Sequence, residues 1–464
     1  MRTTRLGWLT FDRLVALLLV VTLATAACLM PAQNDTWWHL RAGEEIWRTG
    51  GVPLHDTFSH TVYGAYWADQ EWLAELVFYV IYLIGGMPLL TAVAATIATA
   101  TWIIVWRLTP GSPMLRLLLV MFAVVPASTA WSVRPHLLTL LMLSITALLV
   151  QRRRLWSIPF VFLLWANLHG GFALGLISLG ASSLWAAVND RERLGRYVAV
   201  SVASALATNV TPLGFSEWWE IAHALVRIRQ YPISEWKPPD LTTPIYLPFW
   251  CFAAALVAFA IARRVWRPSP SREGCLVWSA LAVLPLALGA SRNVAPFLLL
   301  AVPALASLLD PGILKQTIFP GRRELPLVNA ALLASAVVLG TATVARAWTA
   351  QIPRLGWHPL PSGAIAAIRS CPDRLYNRWD EGGFLVWFTP DRRVFIDGRQ
   401  DPYPPKLVKE HMHVENSADY ESLFERYDIR CAFLPETSPV ARRLQEDGWI
   451  PRYDDRQWLV LVKP

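Results

Sequence analysis

Glu71-Trp72-Leu73-Ala74-Glu75-Leu76-Val77-Phe78-Tyr79-Val80-Ile81-Tyr82-Leu83-Ile84, followed by Gly85-Gly86-Met87-Pro88, is the stretch on which the architecture turns. A helix over residues 71–84 reaches only ~21 Å at ~1.5 Å per residue, short of the ~30 Å hydrocarbon core of a bilayer. The stretch carries Glu71 and Glu75 at its start, with Trp72, Tyr79 and Tyr82 on roughly one helical face. An interfacial helix accommodates those groups; a crossing does not. The choice matters because an extra crossing reverses the sidedness of everything that follows.

Elsewhere the chain reads as membrane protein. Its 464 residues are 54% hydrophobic and 16% charged, with a mean hydropathy of +0.36. Apolar runs recur from Phe11 to Trp348, after which the composition turns soluble. Without the 71–84 stretch, eleven crossings remain: about 13–31, 87–107, 115–132, 136–150, 155–168, 171–188, 197–211, 246–263, 274–290, 294–309 and 326–348. With the N-terminus in the cytoplasm, the cytoplasmic segments hold Arg2, Arg5, Arg13, Arg107, Arg116, Arg152, Arg153, Arg154, Arg191, Arg193, Arg196, Arg263, Arg264, Arg267, Arg272, Lys315, Arg322 and Arg323. The external loops before the tail hold seven basic residues, so the arrangement obeys the positive-inside rule, whereas a twelfth span would put the Arg152 triplet outside. The net charge of +8 therefore reflects topology and implies no nucleic-acid partner. Met1–Met30 has the basic start and apolar run of a signal peptide, and Ala26-Ala27-Cys28 resembles a cleavage site. The immediate return to further spans favours a retained first helix.

Span parity places a distinctive set of polar segments on the outer face: Arg134-Pro135-His136, Asn167-Leu168-His169-Gly170-Gly171, Ser234-Glu235-Trp236-Lys237, Ser291-Arg292-Asn293 and the loop at 32–86. Ionisable groups gathered at one end of a helix bundle mark a candidate polar cavity. In the loop, Thr36–Arg48 has the period of an amphipathic helix, with Arg41–Glu45 and Glu44–Arg48 as expected i,i+4 pairs and Gly50-Gly51 as its stop. Asp35 stands where it either caps that helix or projects into the cavity. Asp56 reads as a turn former, Asp69 as a cap for the second interfacial helix and Glu71 as a complement to its dipole.

The tail, residues 350–464, alternates strand-like and helical runs, as a small α/β domain does. Strands are expected at Arg374–Asn377, Arg393–Asp397, Ile429–Leu434, Trp449–Tyr453 and Trp458–Val462, and helices near 361–369, 404–411, 418–427 and 438–446. Asp380-Glu381-Gly382-Gly383 and Asp397-Gly398-Arg399-Gln400-Asp401 read as polar loops at strand ends, open either to a glycan or to a purely structural role. Cys371 and Cys431 can pair if the tail is extracytoplasmic; Cys28, Cys251 and Cys275 fall in or beside apolar runs. There is no metal-type cysteine spacing, phosphate loop or dinucleotide fingerprint.

The order of parts over residues 1–350 resembles the GT-C superfamily of membrane glycosyltransferases. Asp35-Thr36-Trp37-Trp38-His39-Leu40-Arg41-Ala42-Gly43 with Asp56-Thr57-Phe58 is similar to the start of oligosaccharyltransferase catalytic subunits. Trp67-Ala68-Asp69-Gln70-Glu71-Trp72-Leu73 occupies the place of the His-Pro-Pro-Leu segment of protein O-mannosyltransferases, although His-Pro-Pro itself is absent. Trp165-Ala166-Asn167-Leu168-His169-Gly170-Gly171, Asn377-Arg378-Trp379-Asp380-Glu381-Gly382-Gly383 and Val394-Phe395-Ile396-Asp397-Gly398-Arg399 resemble a bacterial group of multi-pass proteins.

The resemblance implies a polytopic α-helical protein of a bacterial plasma membrane. Its transmembrane domain would span residues 1–349, with two interfacial helices in the first external loop, and an extracytoplasmic α/β domain would occupy 350–464. It implies sugar transfer from a polyprenyl-phosphate carrier to an extracytoplasmic glycan, lipid or protein acceptor. Asp35, Asp69 and Glu71 are the implied catalytic carboxylates. Arg41, Arg134, His136, Asn167, His169, Glu235 and Arg292 are the implied substrate-binding residues, with the arginines suited to the departing phosphate. Some members use a divalent metal and others do not, so no cofactor is assigned. Two other readings compete: a noncatalytic protein that binds envelope glycans, and a transporter of lipid-linked sugars. The transporter lacks the inverted repeat and mid-membrane polar site it would need.

Overall fold

The structure is a computed structural model and describes residues 8–227, 231, 233–268, 274–309, 312, 324–372 and 374–464. Arg2, Arg5, Arg272, Lys315, Arg322 and Arg323 lie outside the described residues. The chain divides into two compact units. One comprises 1–30, 88–214 and 233–350; the other comprises 31–87, 215–232 and 351–464. The loop at 32–86, expected within the membrane domain, thus packs with the tail.

The first unit is helical. Each of the eleven expected crossings coincides with a helix: Phe11–Ala27, the later half of Trp72–Leu108, Pro113–Ala127, His136–Gln151, Ile158–Leu168, Phe172–Asn189, Arg191–Ala207, Leu247–Ala262, Gly274–Gly289, Val294–Leu308 and Pro326–Thr349. Among the described residues, six helices are long and apolar enough to cross a membrane by length and composition: Trp72–Leu108, Pro113–Ala130, Phe172–Asn189, Pro244–Ala262, Ser291–Leu308 and Pro326–Thr349. His136–Gln151, Leu155–Leu168 and Gly274–Gly289 are shorter apolar helices. Val294–Leu308 is the core of this unit, with nearly every side chain buried. Pro326–Thr349, by contrast, buries little apart from Asn329 and Ala347. An apolar helix that buries so little against protein is covered by lipid.

The stretch at 71–84 behaves as its length requires. Helix starts at Trp72, and the backbone leaves helical geometry at Gly85 (φ −147°) and Gly86 (φ 61°, ψ −159°). The second of these conformations is open to glycine and closed to side chains. Ala74, Glu75, Phe78 and Tyr79 are buried, while Val77, Leu83 and Ile84 stay exposed. The segment is therefore a short amphipathic helix, separated from the span that follows.

The second unit is built on a four-stranded sheet, in the order β1-β2-β4-β3. Its strands are β1 Leu375–Asn377, β2 Cys431–Pro435, β3 Ile450–Asp454 and β4 Trp458–Val462. The β1–β2 pair is parallel and the other two pairs are antiparallel. Helices Ser362–Arg369, Pro405–Ser417, Glu421–Arg426 and Pro439–Glu446 follow expectation. Two features do not. Residues 393–397 form no strand and make only an isolated bridge, Val394 to Ser59. Asp380-Glu381-Gly382-Gly383 is not a loop but the opening of a helix, Trp379–Phe388. Cys371 and Cys431 are joined by a disulfide.

The core of this unit explains why the loop belongs to it. Trp38, Ala42, Phe58 and Trp67 from the loop pack in one cluster with Leu360, Ile368, Leu385, Phe433 and Val460 from the tail. Burying aromatic and aliphatic side chains contributes roughly 1.5–3 kcal/mol each, so neither partner can give up the other cheaply.

Candidate functional site

Helix Asn34–Thr49 positions the first carboxylate. Its N-cap is Gln33, whose N–H donates to Thr36 Oγ1 at 3.0 Å, and Gly50 ends it at φ 70°. Asp35 is therefore not the cap, one of the two roles expected for it: it sits in the first turn. Its Oδ1 accepts from Trp38 Nε1 at 3.1 Å. A Cβ on Gly398 would fall 2.2 Å from the same oxygen, so only glycine lets the 397–399 loop lie against this carboxylate. One turn further along, His39 is buried and faces the helix that begins at Trp72.

His39 Nδ1 lies 2.8 Å from Glu75 Oε1, and its Nε2 lies 3.3 Å from Glu71 Oε2. Gly43 permits this approach, since a Cβ there would sit 2.2 Å from the Glu75 carbonyl oxygen. Asp69 Oδ1 accepts from the Glu71 N–H at 3.2 Å, a turn just ahead of the helix that begins at Trp72 rather than the cap that was expected. Asp69 is fully buried, and that burial raises its carboxyl to about 6 against the opposing pull of Arg399. A carboxylate titrating near neutrality is suited to accept a proton. Among the described residues, Asp69 Oδ2 and Glu75 Oε2 have no hydrogen-bond partner, and burial raises both carboxyl groups above the ordinary carboxylate range.

Arg399 organises this cluster from the tail. It is buried and donates to Asp56 at 2.5 Å and to Asp397 at 2.7 and 2.9 Å. Its guanidinium lies 4.6 Å from the ring centroids of both Phe58 and Trp67. Tyr403 completes the arrangement by donating to Asp397 at 2.8 Å. Asp56 additionally accepts from the Ser59 hydroxyl at 2.6 Å and from the Ser59 and Phe58 N–H groups. The Asp397-Gly398-Arg399 segment, expected as an open loop, is thus a buried ionic clamp. Asp56 is one of its jaws rather than a simple turn residue.

His39, Glu71 and Glu75 form the one group of three metal-type ligands among the described residues, their ligand atoms all within 4.8 Å of one another. One imidazole and two carboxylates suit a zinc-like or manganese-like divalent ion, with bonds of about 2.0–2.2 Å after modest closure. The unpartnered oxygen on Glu75 fits such a role.

The first unit brings together another expected set. Arg134 Nε donates to Ser132 Oγ at 2.8 Å, and Arg134 and Arg292 reach Glu235 at 3.5 and 4.0 Å. Arg292 stacks on Trp236 at 4.0 Å. His169 Nδ1 lies 2.9 Å from Thr139 Oγ1 and accepts from the Gly171 N–H at 2.8 Å. His136 Nε2 contacts the Ala130 carbonyl, while Asn167 donates to the carbonyls of Leu163 and Val210, both at 2.9 Å. Asn167 therefore ties backbone together with its side-chain amide. Arg41 pairs with Glu44 at 2.5 Å rather than with Glu45, which instead accepts from Thr57.

Sequence reasoning chose Asp35, Asp69 and Glu71 as candidates, left His39 and Glu75 unchosen, and singled out Arg399 only as part of the 397–401 segment. His39 and Glu75 each stand four residues beyond a chosen carboxylate, on the same helical face, a spacing that could have marked them. The segment holding Arg399 was marked, but no spacing linked it to the loop at 32–86.

No protein-family model matches the sequence, and no curated protein matches it either. Solved structures do match. The oligosaccharyltransferase AglB of Archaeoglobus fulgidus, in complex with an inhibitory peptide and a dolichol-phosphate, superposes with a TM-score of 0.57 at 13% identity, covering 91% of this chain and 69% of that one. The apo form of the A. fulgidus enzyme gives 0.58 at 14% identity, covering 92% and 70%. Its complex with Zn and sulfate gives 0.50 at 13% identity, covering 96% and 73%. The chain has the fold of these GT-C proteins.

Proposed function

We propose that this protein is a membrane glycosyltransferase that moves a sugar from a polyprenyl-phosphate carrier to an acceptor outside a bacterial plasma membrane. The observation that carries the reading is the buried carboxylate cluster of the first external loop, standing within a GT-C fold. Buried ionisable groups are costly, and an arrangement that keeps several of them together is best explained by chemistry performed there.

In the proposed step an acceptor hydroxyl or amide attacks the anomeric carbon. The bond from that carbon to the carrier phosphate oxygen breaks, and its electron pair stays on the phosphate. Asp35 takes the acceptor's proton, with Asp69 and Glu71 as the supporting carboxylates. Arg134 and Arg292 bind the phosphate, where negative charge grows as the bond breaks, and donors aimed at growing charge are worth most in such a step. His136, Asn167, His169 and Glu235 in the first unit and Arg41 in the second are the further residues assigned to substrate binding. A divalent ion held by His39, Glu71 and Glu75 would add Lewis-acid stabilisation of negative charge. The N-terminus is placed in the cytoplasm, with residues 350–464 outside.

The test is transfer or release of labelled sugar from polyprenyl-phosphate sugars by the purified protein in lipid. The Asp35→Asn variant should lose at least ~100-fold in rate, in line with general-base losses, while keeping the wild-type melting profile. Full activity in that variant removes Asp35 from the reaction. If the wild type turns over none of several donors, the noncatalytic reading takes its place.

A further inference from the structure

Helix Ser216–Arg227 of the second unit carries its polarity the wrong way round for water. Glu217 is fully buried, and Glu220 and Ile221, at i+3 and i+4 from it, are half-buried. Ser216, one turn before Glu220, is hydrogen-bonded to the Tyr66 hydroxyl and ties this face to the loop at 32–86. The opposite stripe is the exposed one. Phe215 (77%), Trp218 (37%), Trp219 (66%) and Ala222 follow one another at i, i+3, i+4 and i+7. His223 extends the stripe, its ring edge-on to Trp219 at 4.1 Å and its Nδ1 donating to the Trp219 carbonyl at 3.0 Å. A helix that rests on protein in water does the reverse, burying its apolar stripe and exposing its carboxylates.

The composition of the stripe and its place in the chain say what covers it. Its large side chains are all aromatic, and tryptophan concentrates where a membrane meets water, since the ring is apolar while its N–H can still reach a headgroup. Residues 208–215 alone separate this helix from Arg191–Ala207, an expected crossing. That helix leaves Val198, Val202 and Leu206 exposed at i, i+4 and i+8, as a lipid-covered face does. The segment leads on to Pro244–Ala262, which is long and apolar enough to cross a membrane. A stretch of chain strung between two such helices leaves one membrane surface and returns to it, so a bilayer is at hand at both its ends.

We propose that helix Ser216–Arg227 lies in the plane of the bilayer interface. Phe215, Trp218 and Trp219 are seated about 5–10 Å into the boundary between headgroups and acyl chains. The occupant of the stripe is the phospholipid surface itself, and the contact holds the second unit to the membrane through a helix outside the loop at 32–86.

The experiment replaces Phe215, Trp219 or, as a reference, Lys406 (82% exposed) by the photoreactive residue p-benzoylphenylalanine in the full-length protein. All three side chains are exposed, so the substitutions leave the packing of the second unit intact. The proteins are irradiated in nanodiscs of phosphatidylethanolamine and phosphatidylglycerol, and the adducts are identified by mass spectrometry. The expected result is phospholipid attached through its acyl chains at 215 and 219 and none at 406. Absence of lipid adducts at 215 and 219 overturns the proposal, as does equal capture of lipid at 406, because the stripe then has no preference for the bilayer. Irradiation in intact cell membranes separates the remaining occupants. Lipid adducts there support the proposal again, whereas attachment of 215 and 219 to a second copy of the chain, to another polypeptide or to the chain's own residues in place of lipid overturns it.

Discussion

Replacing Arg399 by Met tests the clamp that holds the loop at 32–86 against the tail. The guanidinium is buried, and Asp56 and Asp397 are fully buried beside it. Removing one partner of a buried ion pair typically costs about 3–5 kcal/mol, because the remaining charge stays desolvated. Two carboxylates are stranded here, which pushes the cost upward. Each keeps other donors, however: Asp56 retains Ser59 and Phe58, and Asp397 retains Tyr403. These bonds hold the estimate within the same range of about 3–5 kcal/mol. The loss is local, so hydrogen exchange is the suitable assay. Amides at 54–69 should lose roughly two to four orders of magnitude in protection, whereas helix Val294–Leu308 of the other unit should be unaffected. In a double-mutant cycle with Asp56→Asn, the coupling should exceed ~1.5 kcal/mol. A loss in the single variant below about 1 kcal/mol, or strict additivity in the cycle, would refute the reasoning.

Other perturbations probe separate parts of the structure. Glu381 is raised to about 7, first by burial and against the pull of Arg378. The folded state therefore holds a proton that the unfolded state releases above the ordinary carboxylate value, and stability falls as pH rises from about 4.5 to 7. Glu381→Gln should recover up to about 3 kcal/mol at pH 8 and almost nothing at pH 4, measured by pulse proteolysis of the tail. Gly43→Ala would drive a Cβ into the Glu75 carbonyl. A loss of about 1–3 kcal/mol is expected, with weaker Zn²⁺ or Mn²⁺ binding by calorimetry, because the helices carrying His39 and Glu75 must separate. Cys371→Ser removes a bond linking residues 60 apart in sequence and should cost about 4 kcal/mol on the chain-entropy account. Thiol labelling after export should find Cys371 and Cys431 protected in wild type and reactive only after reduction.

The elements legible in the sequence are those governed by local, additive terms. The length of each apolar run and the position of each arginine determine which segments can lie in lipid, residue by residue, and helices stand at every expected crossing. The short helix ending at Gly85-Gly86 was legible for the same reason: too few residues to span, then a glycine in a conformation closed to side chains. The 393–397 segment went the other way. Its apolar run read as a strand, yet Val394 makes only an isolated bridge to Ser59 of the distant loop, and the backbone of Phe395 is taken up by the side chains of Thr61 in that loop and Asn377 in β1.

What only the tertiary structure decided is which charges meet. Arg399 and Asp56 are 343 residues apart, and Asn34 accepts from Gly383 across 349. No periodicity records such a pair, since desolvation and Coulomb energy depend on where the chain is brought together rather than on spacing. Asp35, Asp69 and Glu71 were visible as carboxylates at the right ends of helices. Their partners His39, Glu75, Gly398 and Arg399 became visible only once the loop was buried in the core of the tail.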